Sequence, residues 1–140
     1  MKKGKLFLCI TVLIVLIVLL ILQGFEIAYS KDISRKLDES TGLQYAVFYD
    51  NFVTITGAKE NMSTINIPEN IDGKTVIGID ACAFSNRNDI IEVNLPDYIN
   101  FSIEDYAFEN CTNLEKINLP ENINFLGDNI FENCYKLKEN

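Results

Sequence analysis

The sequence predicts a mostly-β repeat solenoid, a stack of short coils, and three observations predict it. Apolar-Asn-apolar-Pro recurs as Ile65-Asn66-Ile67-Pro68, Val93-Asn94-Leu95-Pro96 and Ile117-Asn118-Leu119-Pro120. Each is followed by Asn-Ile or Tyr-Ile, at Asn70-Ile71, Tyr98-Ile99 and Asn122-Ile123, and then by an aliphatic five residues before a phenylalanine. Those last pairs are Ile79 and Phe84, Ile103 and Phe108, and Leu126 and Phe131, so the phenylalanines recur after 24 and then 23 residues. A unit of that length is one coil, which buries its apolar face only against its neighbours.

Taken in order, the chain of 140 residues opens with Lys2, Lys3 and Lys5 before a run from Leu6 to Leu22, 17 residues dominated by Ile, Leu and Val. Positive charge ahead of an apolar run keeps the N-terminus cytoplasmic and exports the downstream chain. Residues 1–30 thus form a single hydrophobic helix, either a cleaved signal peptide ending at Ala28-Tyr29-Ser30 or a retained membrane anchor; both stay open. Cys9 stands at the start of the run, which speaks against a lipoprotein anchor. Residues 31–42 mix charges with few apolar groups and are expected as a polar tether.

From Leu43 to Gly57 the pattern is that of a hairpin. Tyr45, Val47 and Tyr49 alternate, Asp50-Asn51 turns, and Val53-Thr54-Ile55 returns. Such an irregular first unit caps the solenoid, whose repeats run from about residue 63 to 140. Within each repeat, Ile65 and Ile67, Val93 and Leu95, and Ile117 and Leu119 share one side of a short strand; proline then ends it. Asn86, Asn110 and Asn133, two residues after each phenylalanine, sit where the chain reverses. The first repeat exceeds the second by four residues around Asp72-Gly73, expected as a bulging loop.

Chemistry is narrowed by what is missing. The chain has no histidine, which removes His-dependent nucleophile activation and the commonest metal ligand. No phosphate loop, paired CxxC or calcium-loop spacing occurs, so neither cofactor nor metal is expected. Carboxylates alone, such as Glu104-Asp105 with Asp80, are a weak basis for catalysis and the chain is expected not to be an enzyme. Residues 31–140 carry nine Lys and Arg against 19 Asp and Glu, a net charge of −10, which argues against nucleic acid as a partner.

Cys111 and Cys134 take the same place in successive repeats, about 5 Å apart if the coils stack at strand spacing. They form either a disulfide or a ladder of buried thiols. Cys82 aligns with Tyr106 and Asn129 at an outward position. On the strands, Thr64, Glu92 and Lys116 align, as do Asn66, Asn94 and Asn118, giving two polar rows on one open face. These six are the candidate ligand contacts, against the plainer reading of an amide ladder that satisfies itself. Asn61-Met62-Ser63, Asn100-Phe101-Ser102 and Asn110-Cys111-Thr112 match glycan acceptors.

The segments INIPENIDGKTVIGIDACAF and AFENCTNLEKINLP, with Asp50–Ile55 before them, resemble the leucine-rich repeats of the bacterial BspA-like, or treponemal, surface-antigen type. The likeness covers residues 43–140. It implies a short leucine-rich-repeat horseshoe outside the cell, membrane-anchored or secreted, with a role in adhesion or recognition of an extracellular protein or glycan, and no shared catalytic residues. The alternative is a truncated or self-assembling fragment whose last coil pairs with another chain.

Overall fold

The computed structural model describes residues 35–48, 50–97, 101–121 and 123–138. The expected N-terminal helix, with its choice between signal and anchor over residues 1–30, lies outside them. Among the described residues no helix is long and apolar enough to cross a membrane.

Two sheets form the walls of the coils. The larger runs in the order β1 (Lys36–Leu37), β2 (Leu43–Phe48), β3 (Phe52–Ala58), β6 (Lys74–Ile79), β8 (Ser102–Ile103), β10 (Phe125–Leu126), with β5 (Asn70–Ile71) also on β6. The smaller is β4 (Thr64–Asn66), β7 (Glu92–Asn94), β9 (Lys116–Asn118), all parallel. β2 and β3 pair antiparallel as the expected hairpin, while β3, β6, β8 and β10 run parallel from coil to coil. Strands of two or three residues could not stand alone. They persist here because each pairs with its counterparts in the neighbouring coils.

The interior is filled rung by rung. Ile65, Val93 and Ile117 point inward from the small sheet, and Ile55, Ile79 and Ile103 from the large one. Phe84 stacks on Phe108 with ring centroids 5.2 Å apart, and Phe108 on Phe131 at 5.8 Å. Burying each such ring stabilises by roughly 1.5–3 kcal/mol before stacking is counted. The period of the phenylalanines is therefore the period of the core.

Between the sheets the chain is held by its own backbone. Phe84 N donates to Ala107 O at 2.8 Å and Phe108 N to Ile130 O at 3.0 Å; Asn86 N and Asn110 N donate likewise to Glu109 O and Glu132 O. The turn needs two left-handed residues per coil: Cys82 and Asn86, Tyr106 and Asn110, Asn129 and Asn133, with φ between 53° and 64°. Asparagine tolerates that conformation, which explains Asn86, Asn110 and Asn133. Cys82 and Tyr106 occupy it at greater cost.

The structure refines three expectations. Within the stretch expected as a tether over 31–42, Lys36 and Leu37 pair with Tyr45 and Gln44 through backbone groups that are indifferent to side-chain charge. Asp38 closes that turn, its carboxylate accepting from Thr41 N at 2.9 Å and Ser40 Oγ at 2.8 Å. The four extra residues near Asp72-Gly73, expected as a bulging loop, belong to a hairpin of β5 and β6 whose two-residue turn, Asp72-Gly73, is left-handed at both positions. Leu119 and Leu126, expected to face inward, are 43% and 47% exposed, since no described coil stacks beyond them.

The cap is fastened by a residue that no sequence pattern marks. Arg87 occupies the place of Cys111 and Cys134 in the first repeat, and its guanidinium donates to Ala58 O at 3.0 Å and Lys59 O at 2.8 Å. Asp89 holds it with two 2.7 Å bonds and also accepts from Met62 N at 3.1 Å. Arg87 beside it keeps the Asp89 carboxyl down at about 2. At the far side of the hairpin, Tyr45 donates to Asp72, which with burial pushes its phenol up to about 12.

Candidate recognition surface

The small sheet brings the six predicted side chains onto one face. Thr64, Glu92 and Lys116 lie in register, and so do Asn66, Asn94 and Asn118 two residues on, while Ile65, Val93 and Ile117 between them are buried. Alternation along a strand dictates this: if the middle residue fills the core, both neighbours stand on the opposite face. Thr64, Asn66, Lys116 and Asn118 are exposed, and Glu92 and Asn94 partly so.

Part of that face satisfies itself. Asn94 Nδ2 donates to Asn66 Oδ1 at 2.9 Å, and Lys116 Nζ meets Glu92 Oε1 at 3.1 Å. Asn118 is engaged differently. Its Oδ1 accepts from Leu95 N at 2.8 Å and its Nδ2 donates to Leu95 O at 3.1 Å, so the side chain takes the place of a backbone partner just before Pro96 ends the strand. Among the described residues the Thr64 hydroxyl, Asn66 Nδ2 and Asn94 Oδ1 take no hydrogen-bond partner and stay open for a ligand. The Lys116–Glu92 pair is largely exposed and contributes at most about 1 kcal/mol.

Each strand then delivers an acidic residue just past its proline: Glu69, Asp97 and Glu121, all exposed. Sequence reasoning passed over this row, although Pro-Glu, Pro-Asp and Pro-Glu stand at matching places in the repeats. Each follows its in-register strand three residues after the aligned asparagine. Between the last two lies a shallow hollow of about 480 Å³ lined by Asp97, Asn118, Leu119, Pro120 and Glu121.

The remaining candidates fall elsewhere. Cys111 and Cys134 are free thiols, and each donates its S–H to the phenylalanine carbonyl one coil back, Cys111 to Phe84 O at 3.0 Å and Cys134 to Phe108 O at 3.1 Å. Burial pushes the Cys111 thiol up to about 12, and that of Cys134 upward too, so both stay protonated. Cys82 is exposed. Asp105 Oδ1 accepts from Asp128 N at 2.8 Å as a turn brace, and burial raises the half-buried Asp80 carboxyl. Among the described residues no three His, Cys, Asp or Glu side chains gather as a metal site. Of the glycan-acceptor asparagines, Asn110 has both amide atoms engaged, giving to Asn86 Oδ1 and taking from Asn133 Nδ2. Asn61 stands exposed at a turn, and Asn100 lies outside the described residues.

Residues 56–140 match a family described as the BspA type leucine rich repeat region (6 copies). The chain belongs to that family. No curated protein resembles it closely enough to count as a relative. Among solved structures, a leucine-rich repeat protein of T. pallidum is 27% identical with a TM-score of 0.64, the match covering 73% of this chain and 48% of that one. A leucine-rich repeat protein of Bacteroides ovatus is 28% identical, TM-score 0.64, covering 76% and 28%. A leucine rich cell surface protein of Faecalibacterium prausnitzii is 26% identical, TM-score 0.65, covering 78% and 30%. The BspA-type chain thus spans less than half the length of these three proteins.

Proposed function

We propose that this BspA-type chain is a non-enzymatic recognition module displayed on the cell surface or secreted, which meets an extracellular protein or glycan with the open face of β4, β7 and β9. The observation that carries the reading is the two in-register rows, Thr64–Glu92–Lys116 and Asn66–Asn94–Asn118, held on a rigid stack with hydrogen-bonding groups still available. Placement outside the cell is supported by the similarity to a leucine rich cell surface protein, and by the Lys-led apolar run at the start of the sequence. A binding role rather than catalysis accords with a chain that has no histidine and in which Asp105 braces a turn.

The test replaces all six residues with alanine and measures capture of a panel of immobilised extracellular proteins and glycans. A loss of about tenfold or more in affinity for whichever member binds is expected, because binding energy concentrates in few contacts. Unaltered capture by the sixfold variant would remove this face from the account.

A further inference from the structure

We propose that the tip of the β2–β3 hairpin presses its two phenylalanine rings into the surface of a lipid bilayer, with the Lys-led apolar run Leu6–Leu22 as the second attachment. The inference rests on retention of that run and is independent of the reading of the small sheet as a recognition surface.

Register places the rings. Phe48 ends β2 and Phe52 begins β3, and the two stand directly opposite each other across the antiparallel pair. One rung deeper, Val53 belongs to the core and Val47 packs against it. Alternation therefore turns Phe48 and Phe52 to the outer face of the large sheet, away from the core. They are 37% and 41% exposed.

Three observations select a bilayer as the surface that covers them. The first is size. A specific protein interface buries roughly 800 Å² on each partner, far beyond what two half-covered rings present. An apolar group at a membrane interface reaches only about 5–10 Å into the boundary of headgroups and acyl chains, and a weak contact of that kind becomes stable beside a second attachment. The second is the path of the chain. β1 runs antiparallel to β2 with Lys36 opposite Tyr45 and Leu37 opposite Gln44, so β1 starts nearer the tip than it ends and the chain enters from the tip's side. Residues 23–35 join the apolar run to that point, and fully extended they span at most about 45 Å.

Charge is the third. β1 and β6 flank the hairpin on its two sides, bringing Lys36 to one and Lys74 to the other, where the next residue, Thr75, pairs with Phe52. Among the described residues neither lysine takes part in an ion pair. Each can lay its methylene stem along the apolar boundary and hold its cation among phosphate headgroups. The turn between the rings carries one acid, Asp50.

The test uses the fact that the chain has no tryptophan. Phe52→Trp in the full chain, reconstituted in vesicles of equimolar phosphatidylcholine and phosphatidylglycerol, carries a single reporter at the tip. Tyr135→Trp carries one in the last repeat, at a position 77% exposed. Lipids brominated on their acyl chains are expected to quench Phe52→Trp, whose emission also moves to shorter wavelength in vesicles, and to leave Tyr135→Trp at full intensity. Circular dichroism melts check that both variants fold; if Phe52→Trp does not, Phe48→Trp at the facing position takes its place.

No quenching of the tip reporter, or equal quenching of both reporters, would overturn the proposal. So would a blue shift of Phe52→Trp that grows with protein density while bromine leaves it unquenched, because a second copy of the chain then covers the rings. None of these results touches the small sheet, whose role stands or falls with ligand capture by the sixfold alanine variant.

Discussion

Arg87 and the two cysteines show how one place in a repeat is adapted to what lies behind it. In the later coils a thiol suffices, because the phenylalanine carbonyl of the coil behind is one short S–H bond away. In the first repeat the neighbour is the hairpin, and a longer side chain reaches the carbonyls of Ala58 and Lys59. Replacing Arg87 by Met is expected to cost about 2 kcal/mol in urea denaturation, since bonds to a charged donor are lost and Asp89 is left partly buried without its partner. Asp89 gives the effect a pH signature. Its folded pKa of about 2 lies below its ordinary 3.8, so its contribution is fully present above that ordinary value and is lost as pH falls through 2. Asp89→Asn should flatten the stability profile over that window, and an unchanged slope would deny the pair its role. The thiols make a separate prediction. Maleimide labelling of the folded chain, mapped by mass spectrometry, should modify Cys82 first, and reach Cys111 and Cys134 only on unfolding.

The short strands and tight turns depend on small residues in two distinct ways. Gly73 has a φ of +71° and nothing lies within 4 Å of the place a Cβ would take, so only backbone conformation constrains it. Gly127 is in ordinary conformation, yet a Cβ there would lie 2.4 Å from Asp105 Oδ1 and 2.5 Å from Asp105 N. Gly73→Ala should therefore cost about 1 kcal/mol, the penalty of a left-handed residue. Gly127→Ala should cost more, because it drives one coil off the next and breaks the bond from Asp128 N to Asp105. Equal melting-temperature shifts for the two would show that the coils are not in the contact described.

Over the whole molecule, the small sheet was legible in the sequence and the large one mostly was not. Strands β4, β7 and β9 announce themselves through alternation and a proline that stops each one, both local signals. Strands β8 and β10 are pairs of residues, Ser102–Ile103 and Phe125–Leu126, held extended by the parallel pairing that runs from β6 to β8 and on to β10. No window of sequence that short carries such information. β1 was hidden because Lys36 and Leu37 join through backbone alone. At the surface, the rows of Asn66, Asn94 and Asn118 followed from the repeat, but their unequal use did not. That Asn118 grips Leu95 while Asn94 reaches Asn66 depends on the detailed approach of the coils. The acidic residues after Pro68, Pro96 and Pro120 were equally present in the repeat and were passed over because they lie beyond the alternating strand positions.

The central claim is that the open face of the small sheet is where this BspA-type chain meets its partner, and an amide hydrogen-exchange footprint tests it most directly. The full chain would be compared free and bound to the strongest binder from a panel of extracellular proteins and glycans. Protection confined to residues 64–66, 92–94 and 116–121 is the predicted result. Protection over β2 and β3, or along β8 and β10, with the small sheet unchanged, would contradict it.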